Sequence, residues 1–316
     1  MTVLMMVLAG TPVHAADVVQ GANLLGMGGV GVAAPSDNAG ITLNPGTLGL
    51  RERFDFHAHG RLGPDLGLQW AGSAMDARTS SAVAVGFAYS GDRYEPPFSN
   101  ADLPAWVVSD VEPRNRKRFQ DFAGAIAVPM LDRRLSVGIG GVLTQFDHDQ
   151  QGSGSRFDMH AGLGIAAAEW LTLGASVRNF IPLASQDRPL QVLAGIHLQD
   201  EGNVAFEANL SRTWVAPGGL LVALGDIATR RVEDPSPWTV AAGIDKTIGG
   251  AQLRAGGSWV GPSRRGFATL GIGTVDEGNG GIEYAVVVPV TGDVDLGSTI
   301  HQISVRFGAP QDLDPP

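Results

Sequence analysis

An alternation of apolar and polar residues with a period of two dominates the chain from about residue 53 onward. In LTLGASVRNF, residues 171–180, leucine, alanine and valine alternate with threonine, glycine, serine and arginine. The same pattern returns in LQVLAGIHL at 190–198 and in NVAFEANLS at 203–211. Successive side chains point to opposite faces of a β-strand, whereas the faces of a helix repeat about every 3.6 residues. The chain therefore predicts an all-β protein whose strands each have one apolar and one polar face.

The number of strands of this kind is even. Fourteen are predicted, at residues 53–60, 65–75, 81–90, 119–129, 134–146, 156–167, 170–179, 190–199, 203–213, 238–247, 250–260, 266–275, 279–288 and 298–307. Short turns at 131–134, 167–170, 199–203, 248–251 and 276–279 alternate with longer connections at 91–118, 147–156, 181–189, 212–238 and 289–298. This arrangement is typical of bacterial outer-membrane barrels. We therefore predict a transmembrane antiparallel β-barrel of about 14 strands. The stretch 219–228 would break the parity, and we interpret it as loop structure or a strand extension.

Ionisable residues decide which face of each strand meets the lipid. The polar faces carry Asp55, His57, His59, Asp158, Arg178, Glu207, Asp245, Arg254 and Glu283. A Lys or Arg that faces hydrocarbon near the midplane costs about 2–4 kcal/mol, so we predict that the polar faces line the lumen. A large soluble β-sandwich or solenoid is the alternative. His57 and His59 could bind a metal, but two ligands make a weak site, and we expect lumen-lining residues and no metal.

Composition argues against several other classes of protein. The formal net charge of −10 argues against a nucleic-acid-binding role. No apolar run approaches the ~20 residues of a transmembrane helix, and the chain has no cysteine. Ser, His and Asp residues are present, but no G-x-S-x-G or H-E-x-x-H motif groups them. We therefore expect neither an enzyme nor a cofactor.

The first residues, MTVLMMVLAGTPVHAADV, have the pattern of a secretory signal peptide. Val3 to Leu8 form an apolar core, and Ala15 or Ala16 offers a small residue at the cleavage point. No Lys or Arg precedes the apolar run, and a buried N-terminal strand is the alternative. We predict that residues 1–16 are a signal peptide and that the protein is exported to the bacterial outer membrane.

The stretch LLGMGGVGVAAPSDNAG, residues 24–40, contains the dinucleotide-binding pattern G-x-G-x-x-G at Gly26, Gly28 and Gly31. A nucleotide site of that type needs a strand before the glycines and a helix after them, which holds the phosphates. Here the run PSDNAG would stop a helix within a turn or two. No alternation of strands and helices follows, so we do not expect a nucleotide site.

The same region resembles the N-terminal segment of the FadL-type hydrophobic-compound transporters and of the related PorV-like barrels. The residues that carry the resemblance are Leu25-Gly26-Met27-Gly28-Gly29, Val32-Ala33, Asp37-Asn38-Ala39 and Asn44-Pro45-Gly46-Thr47-Leu48. The family usually has alanine where this chain has Gly46. The resemblance implies a plug or hatch at residues 17–52. The alternating pattern places the barrel at 53–307, and we predict that residues 308–316, which most such proteins lack, are a short periplasmic tail. A plain leader into the first strand is the alternative.

The resemblance also implies a function, which is passive uptake of a hydrophobic, fatty-acid-like small molecule with a shift of the plug. The residues implied in gating are Gly26, Gly28, Gly29, Asn44 and Pro45. Glycines permit close backbone packing and positive φ, and Asn44-Pro45 makes a rigid turn. The chain is short for a full fatty-acid transporter. A PorV-like secretion partner or a structural surface protein is therefore the alternative function.

The connection 91–118 and the last strand supply further candidates. Tyr94, Phe98 and Trp106 are candidates for a ligand-access loop, or they only order that loop. Arg114, Arg116, Lys117 and Arg118 are candidates for contact with lipopolysaccharide phosphates, or they form a solvated loop. The strand IHQISVRF, residues 300–307, resembles the C-terminal signal that outer-membrane proteins present to the barrel-assembly machinery. Outer-membrane lipid is the remaining partner that we expect.

Overall fold

The computed structural model describes residues 21–34, 38–63, 67–94, 117–148, 152–180, 190–200, 203–214, 238–261, 265–274, 280–291 and 299–308. The strands are β1 (Phe54–Gly63), β2 (Gly67–Asp76), β3 (Ala84–Tyr94), β4 (Lys117–Met130), β5 (Leu135–His148), β6 (Gly152–Ala168), β7 (Leu171–Arg178), β8 (Leu190–Gln199), β9 (Val204–Trp214), β10 (Trp238–Ile248), β11 (Ala251–Val260), β12 (Arg265–Thr274), β13 (Gly281–Pro289) and β14 (Ile300–Gly308). Within these ranges, no helix is long and apolar enough to cross a membrane.

The sheet closes into a barrel. Each strand pairs antiparallel with its neighbours along the chain, and β1 pairs with β14. The closing seam extends from the pair Asp55 and Gly308 to the pair Leu62 and His301. The predicted fourteen-stranded antiparallel barrel is confirmed, and the alternative of a soluble sandwich or solenoid is wrong. The stretch 219–228 lies outside the described residues.

The outer surface of the barrel is apolar. Large side chains such as Phe87, Ile126, Leu270 and Ile303 lie on it with between 52% and 67% of their surface exposed. A membrane provides the apolar surroundings that such a surface requires. Exposed aromatic residues lie near both ends of the strands, with Phe54, Phe56, Trp170 and Phe307 at one end and Trp238 and Trp259 at the other. These two groups correspond to the aromatic girdles of outer-membrane barrels.

Strands β4, β5 and β6 are longer than the sequence pattern predicts. They have 14, 14 and 17 residues, whereas about 9–11 residues cross a membrane. The predicted connection 147–156 is therefore reduced to residues 149–151. Outward positions beyond Leu143 are polar and exposed, as at Gln145 and Asp147. Alternation could not detect this extension, because its outer face meets water and not lipid.

The connections at one end of the barrel are short, as predicted. Residues 131–134 join β4 to β5, residues 169–170 join β6 to β7, and residues 249–250 join β10 to β11. In outer-membrane barrels the short turns lie on the periplasmic side. The opposite end, where β4 to β6 extend beyond the apolar surface, is therefore the extracellular end.

Residues 21–34 and 38–52 form an N-terminal segment that lies inside the barrel. It contains a short helix, α1 (Ala22–Gly26), and two 3₁₀ helices, Asn38–Ile41 and Pro45–Gly49. Helix α1 contacts β11 to β14, and Pro45–Gly49 contacts β4 to β7. Most of the segment's residues are buried. The lumen is thus occupied by polypeptide near the periplasmic ends of the strands.

A charge introduced on the outer surface tests the membrane orientation. We expect Leu270→Arg, near the middle of β12, to lower the free energy of unfolding by about 2–4 kcal/mol. Leu62→Arg is the matched control, because Leu62 is equally exposed (59% against 60%) but lies next to the extracellular end of β1. Its effect should be about 0–1 kcal/mol. Urea unfolding in lipid vesicles, followed by tryptophan fluorescence, measures both; equal losses would contradict the orientation.

Candidate functional site in the barrel lumen

The glycines of the N-terminal segment are packed against backbone of the barrel wall. Gly28 has a φ of +93°, which L side chains rarely adopt. A Cβ at this position would lie 2.5 Å from the carbonyl oxygen of Gly257 and 2.9 Å from that of Ala242. These wall residues belong to β11 and β10. Gly26 lies against Gly271 of β12, and Gly31 lies against Leu24 and Leu43 of the segment itself. The G-x-G-x-x-G pattern therefore serves close packing of the segment.

The turn Asn44-Pro45-Gly46 fits a recess in the wall that three glycines form. Gly138 of β5 lies against the backbone of Pro45 and Gly46. Gly162 and Gly164 of β6 lie against Asn44, Pro45 and Gly46. A Cβ on Gly46 would be 2.7 Å from the nitrogen of Gly164. This close approach leaves no room for a side chain at position 46.

Asn44 joins three parts of the structure through its side chain. Its Nδ2 donates to the carbonyl of Val32 at 2.7 Å and to that of Leu163 at 3.0 Å. Its Oδ1 accepts a hydrogen bond from the Gly46 amide at 3.1 Å, which caps the 3₁₀ helix Pro45–Gly49. Asn44 is completely buried. One amide thus connects both halves of the segment to β6.

Polar side chains of the wall satisfy backbone groups of the N-terminal segment. Nε2 of His160 donates to the carbonyl of Ile41 at 2.6 Å, and the Ser176 hydroxyl donates to that of Leu43 at 2.5 Å. The hydroxyl of Thr269 donates to the Gly26 carbonyl at 2.9 Å, and the amide of Ala22 donates to the Ser304 hydroxyl at 2.8 Å. A segment without a regular hydrogen-bonded structure requires such partners when buried. The wall residues come from β6, β7, β12 and β14.

The lumen also contains two apolar clusters. In one of them, Ile41 and Leu48 of the segment pack against inward residues of β2 to β5, including Met75 and Val142. The second consists of Leu24, Met27, Val30, Ala34, Ala39, Leu43 and Ala241. This part of the lumen is therefore packed like a small protein core and differs from the water-filled channel of a porin.

All nine ionisable residues that we predicted to line the lumen are buried in the barrel, each at most 8% exposed. Several of them pair with residues that the sequence did not single out. Asp55 accepts from Arg53 at 3.0 Å and lies 3.5 Å from Arg306. Arg178 donates to Gln191 at 3.2 Å. These partners explain how charged residues can be buried inside the barrel.

Arg254 connects two of the predicted acidic residues. Its Nε lies 2.6 Å from Asp245, and its Nη2 lies 3.1 Å from Glu283 and also contacts Gln252. The group bridges β10, β11 and β13. It lies next to helix α1, because a Cβ on Gly26 would be 3.4 Å from the Cβ of Arg254. The network thus supports the wall where the first part of the segment rests.

Glu207 differs from these residues because both of its carboxylate oxygens lack a hydrogen-bond partner among the described residues. Its side chain is 1% exposed, and Nδ1 of His197 lies 3.7 Å away. An ion pair at this distance requires a protonated His197. The rings of His57 and His59 are arranged edge to face, with their centroids 5.8 Å apart. Among the described residues no group of three or more His, Cys, Asp or Glu side chains could hold a metal.

The predicted access loop and basic run are described only in part. Phe98, Trp106, Arg114 and Arg116 lie outside the described residues. Tyr94 ends β3 and pairs in register with Lys117, while Arg118 pairs with Arg93. Lys117 and Arg118 therefore belong to β4, although the sequence placed them at the end of a loop. Their roles in ligand access and lipopolysaccharide contact stay predictions.

Three inward phenylalanines were missed by the sequence analysis. Phe119, Phe146 and Phe267 are half-buried and lie on the inner face, two positions from the inward residues Asp121, Thr144 and Thr269. They lie toward the extracellular ends of β4, β5 and β12. A Cβ on Gly154 would be 2.5 Å from the Phe146 ring. The alternation along each strand could have assigned these phenylalanines to the lumen, because every second residue of a strand lies on the same face.

The closed barrel, its apolar outer surface and its two aromatic girdles define an outer-membrane β-barrel. Its structure is similar to that of the CymD monoaromatic hydrocarbon channel, with a TM-score of 0.66 and 13% identity over 93% of this chain and 98% of that one. The toluene transporter TbuX of Ralstonia pickettii gives 0.65 and 15% over 93% and 99%. A FadL homologue of Pseudomonas aeruginosa gives 0.64 and 11% over 91% and 98%.

These structural likenesses confirm the predicted fold, which is that of the FadL-type channels. No protein-family model matches the sequence, and no curated protein matches it. With sequence identities of 11–15%, the resemblance lies in the arrangement of the strands. The chain nevertheless covers nearly the whole length of all three structures, so the likeness concerns the complete barrel.

Gly46→Ala tests the fit between the N-terminal segment and its recess. A methyl group 2.7 Å from the β6 backbone should displace the turn and lower the free energy of unfolding by about 1–3 kcal/mol. Limited proteolysis should then cut residues 38–52 faster than in the wild type. Gly60→Ala is the control, because nothing lies within 4 Å of a Cβ at Gly60. Unchanged proteolysis of Gly46→Ala would contradict the recess.

Proposed function

We propose that the protein is a channel for passive uptake of a hydrophobic small molecule across the outer membrane. The observation that carries the proposal is the N-terminal segment, which occupies the lumen of a barrel with the fold of FadL-type channels. CymD is a monoaromatic hydrocarbon channel, and TbuX is a toluene transporter. A barrel filled by polypeptide is poorly suited to water-soluble solutes. A molecule that partitions into apolar surroundings has less need of a wide aqueous path.

We further propose that the N-terminal segment is a plug that shifts when the channel opens. The segment is held by side-chain hydrogen bonds and apolar contacts, and it takes no part in the strand ladder. It can therefore move while the barrel stays closed around it. The residues proposed for this movement are Gly26, Gly28, Gly29, Asn44 and Pro45. The glycines allow sliding past the wall, and Asn44 holds the resting position.

An apolar ligand would meet aromatic residues on the extracellular side of the plug. We propose that Phe119, Phe146 and Phe267 contact it there, after first contact with Tyr94, Phe98 and Trp106 of the access loop. Half-buried phenylalanine rings offer an apolar contact area and carry neither a charge nor a hydrogen-bonding group. This chemistry suits a hydrocarbon or the chain of a fatty acid and does not select a particular ligand.

Two partners belong to the same proposal. Phe307, the last residue but one of β14, is 53% exposed on the outer surface, and we propose that this strand is presented to the barrel-assembly machinery. Arg114, Arg116, Lys117 and Arg118 are proposed to contact lipopolysaccharide phosphates at the outer surface. Residues 1–16 are proposed as a signal peptide and residues 308–316 as a periplasmic tail.

Uptake by whole cells tests the function. Cells that lack their own hydrophobic-compound channel should accumulate labelled toluene or oleate faster when they express this protein. Accumulation of a polar sugar should not change. Native mass spectrometry of the purified barrel should detect bound lipid. Equal accumulation with and without the protein, together with a periplasmic or surface partner that co-purifies, would overturn the proposal in favour of a PorV-like secretion partner.

Asn44→Ala tests the gating role. The substitution removes three hydrogen bonds, but only the bond to the Leu163 carbonyl joins the segment to the wall, and one such bond is worth about 0.5–1.5 kcal/mol net. We expect a loosened plug and an uptake of toluene or oleate that is raised about five- to tenfold, as a two-state shift of 1–1.4 kcal/mol gives. Asn23→Ala is the control, because the side-chain oxygen of Asn23 has no hydrogen-bond partner in the described part of the chain. Unchanged uptake in a correctly folded Asn44→Ala barrel would contradict the gating role.

A further inference from the structure

The turn between β4 and β5 has an unusual backbone. Leu131, Asp132 and Arg133 are three consecutive non-glycine residues with φ of +52°, +52° and +63°. L residues adopt this left-handed conformation rarely and seldom in succession. The amide of Arg134 donates to the Leu131 carbonyl at 3.1 Å and closes the turn. The surroundings of the turn must therefore favour this conformation.

The Arg133 side chain supplies those surroundings. Its guanidinium donates from Nη1 to the Gly49 carbonyl at 3.1 Å and from Nη2 to the carbonyls of Ala77 and Ser80 at 2.9 and 3.3 Å. Its Nε lies 3.2 Å from Glu52. Arg133 is 14% exposed, whereas Glu52 is 61% exposed. Water screens the ion pair with Glu52, so the three carbonyl bonds are the principal contacts.

The acceptors of Arg133 belong to separate parts of the chain. Gly49 ends the 3₁₀ helix Pro45–Gly49 of the N-terminal segment, and Ala77 and Ser80 lie in the turn between β2 and β3. Gly49 is also packed against wall residues of β4 and β5, since a Cβ there would be 3.4 Å from Pro129 and closer to Ser136. One planar group with five donors can bridge such a set. The exit of the segment is thereby tied to two periplasmic turns.

We propose that Arg133 is a positioning residue that holds the exit of the plug at the periplasmic rim and thereby sets the resting permeability of the channel. The proposal rests on the proposed function, because it takes the N-terminal segment as the plug. Asn44 fixes the segment deep in the wall, and Arg133 fixes it where it leaves the lumen. Without Arg133, residues 45–52 lose their attachment to both turns. The plug then leaves its closed position more often.

Arg133→Gln and Arg134→Gln test this role as a matched pair. Both remove one positive charge from the same turn, but the Arg134 side chain is exposed. In planar bilayers we expect Arg133→Gln to raise the mean ionic conductance about five- to tenfold, as the loss of one or two net hydrogen bonds gives. Limited proteolysis of residues 38–52 should accelerate by a similar factor. Arg134→Gln should match the wild type, and Arg133→Lys should fall between, because an ammonium lacks the planar fork.

Arg133→Lys, which keeps the positive charge, covers the case in which Arg133→Gln does not assemble. A covalent variant then tests whether attachment of the segment to the turn is enough to keep the channel closed. The chain has no cysteine, so Glu52→Cys with Arg133→Cys introduces two unique thiols. Joining them with a flexible bis-maleimide should restore wild-type conductance, and the unjoined protein should leak. Wild-type conductance and proteolysis in Arg133→Gln, or in the unjoined double variant, would overturn the proposal. If these variants leak while the wild type takes up neither toluene nor oleate, the positioning role of Arg133 is supported and the proposed substrate class is wrong.

Discussion

The pairing of β1 with β14 is the contact on which the rest of the structure depends. In hydrocarbon, each backbone N–H and C=O group without a partner costs several kcal/mol, so strands can cross a membrane only as a closed sheet. Closure also decides where the side chains go. Because one face of every strand contacts lipid, the opposite face of the closed sheet encloses a lumen. All polar and charged residues of the membrane-spanning strands that cannot meet lipid are collected there.

The lumen in turn imposes a condition on the N-terminal segment. The segment has only short helical turns, and most of its backbone groups have no partner within regular structure. The wall satisfies several of them through His160, Ser176 and Thr269. Inward polar residues of this barrel therefore have two uses. Some form ion pairs with one another, as around Arg254, and others hold the segment.

The fold could be predicted because each membrane strand has one face toward lipid and one toward the lumen, and the two faces require different side chains. Residues 171–178 face lipid and lumen in turn, and apolar and polar side chains alternate along them accordingly. The same rule assigned Asp55, Glu207 and the other ionisable residues to one face. It failed where the environments become alike, at the extracellular ends of β5 and β6. There the outer face meets water, as at Gln145 and Asp147. The hydropathy of the side chains therefore does not change where the strand ends and the loop begins.

The contacts between segment and wall could not be predicted from the same pattern. Gly46 and Gly164 are 118 positions apart, and nothing in either local sequence shows that they touch. Arg133 is likewise one of two arginines in a polar turn, and only the left-handed backbone directs it to Gly49. Such contacts depend on the register of distant strands. They were visible in the sequence only as an excess of glycine, 44 of 316 residues.

That excess has a physical meaning which connects the wall to the plug. A Cβ on Gly138 or Gly174 would strike the backbone of the segment, just as a Cβ on Gly28 would strike the wall. Backbone thus lies directly on backbone at several heights of the lumen. At these positions few side chains interlock, so the two backbone surfaces can separate there without rotamer changes. The apolar clusters around Ile41 and Leu24 hold the segment elsewhere, and directional bonds fix its register on the wall. The Asn44 amide and the Arg133 guanidinium supply bonds of this kind.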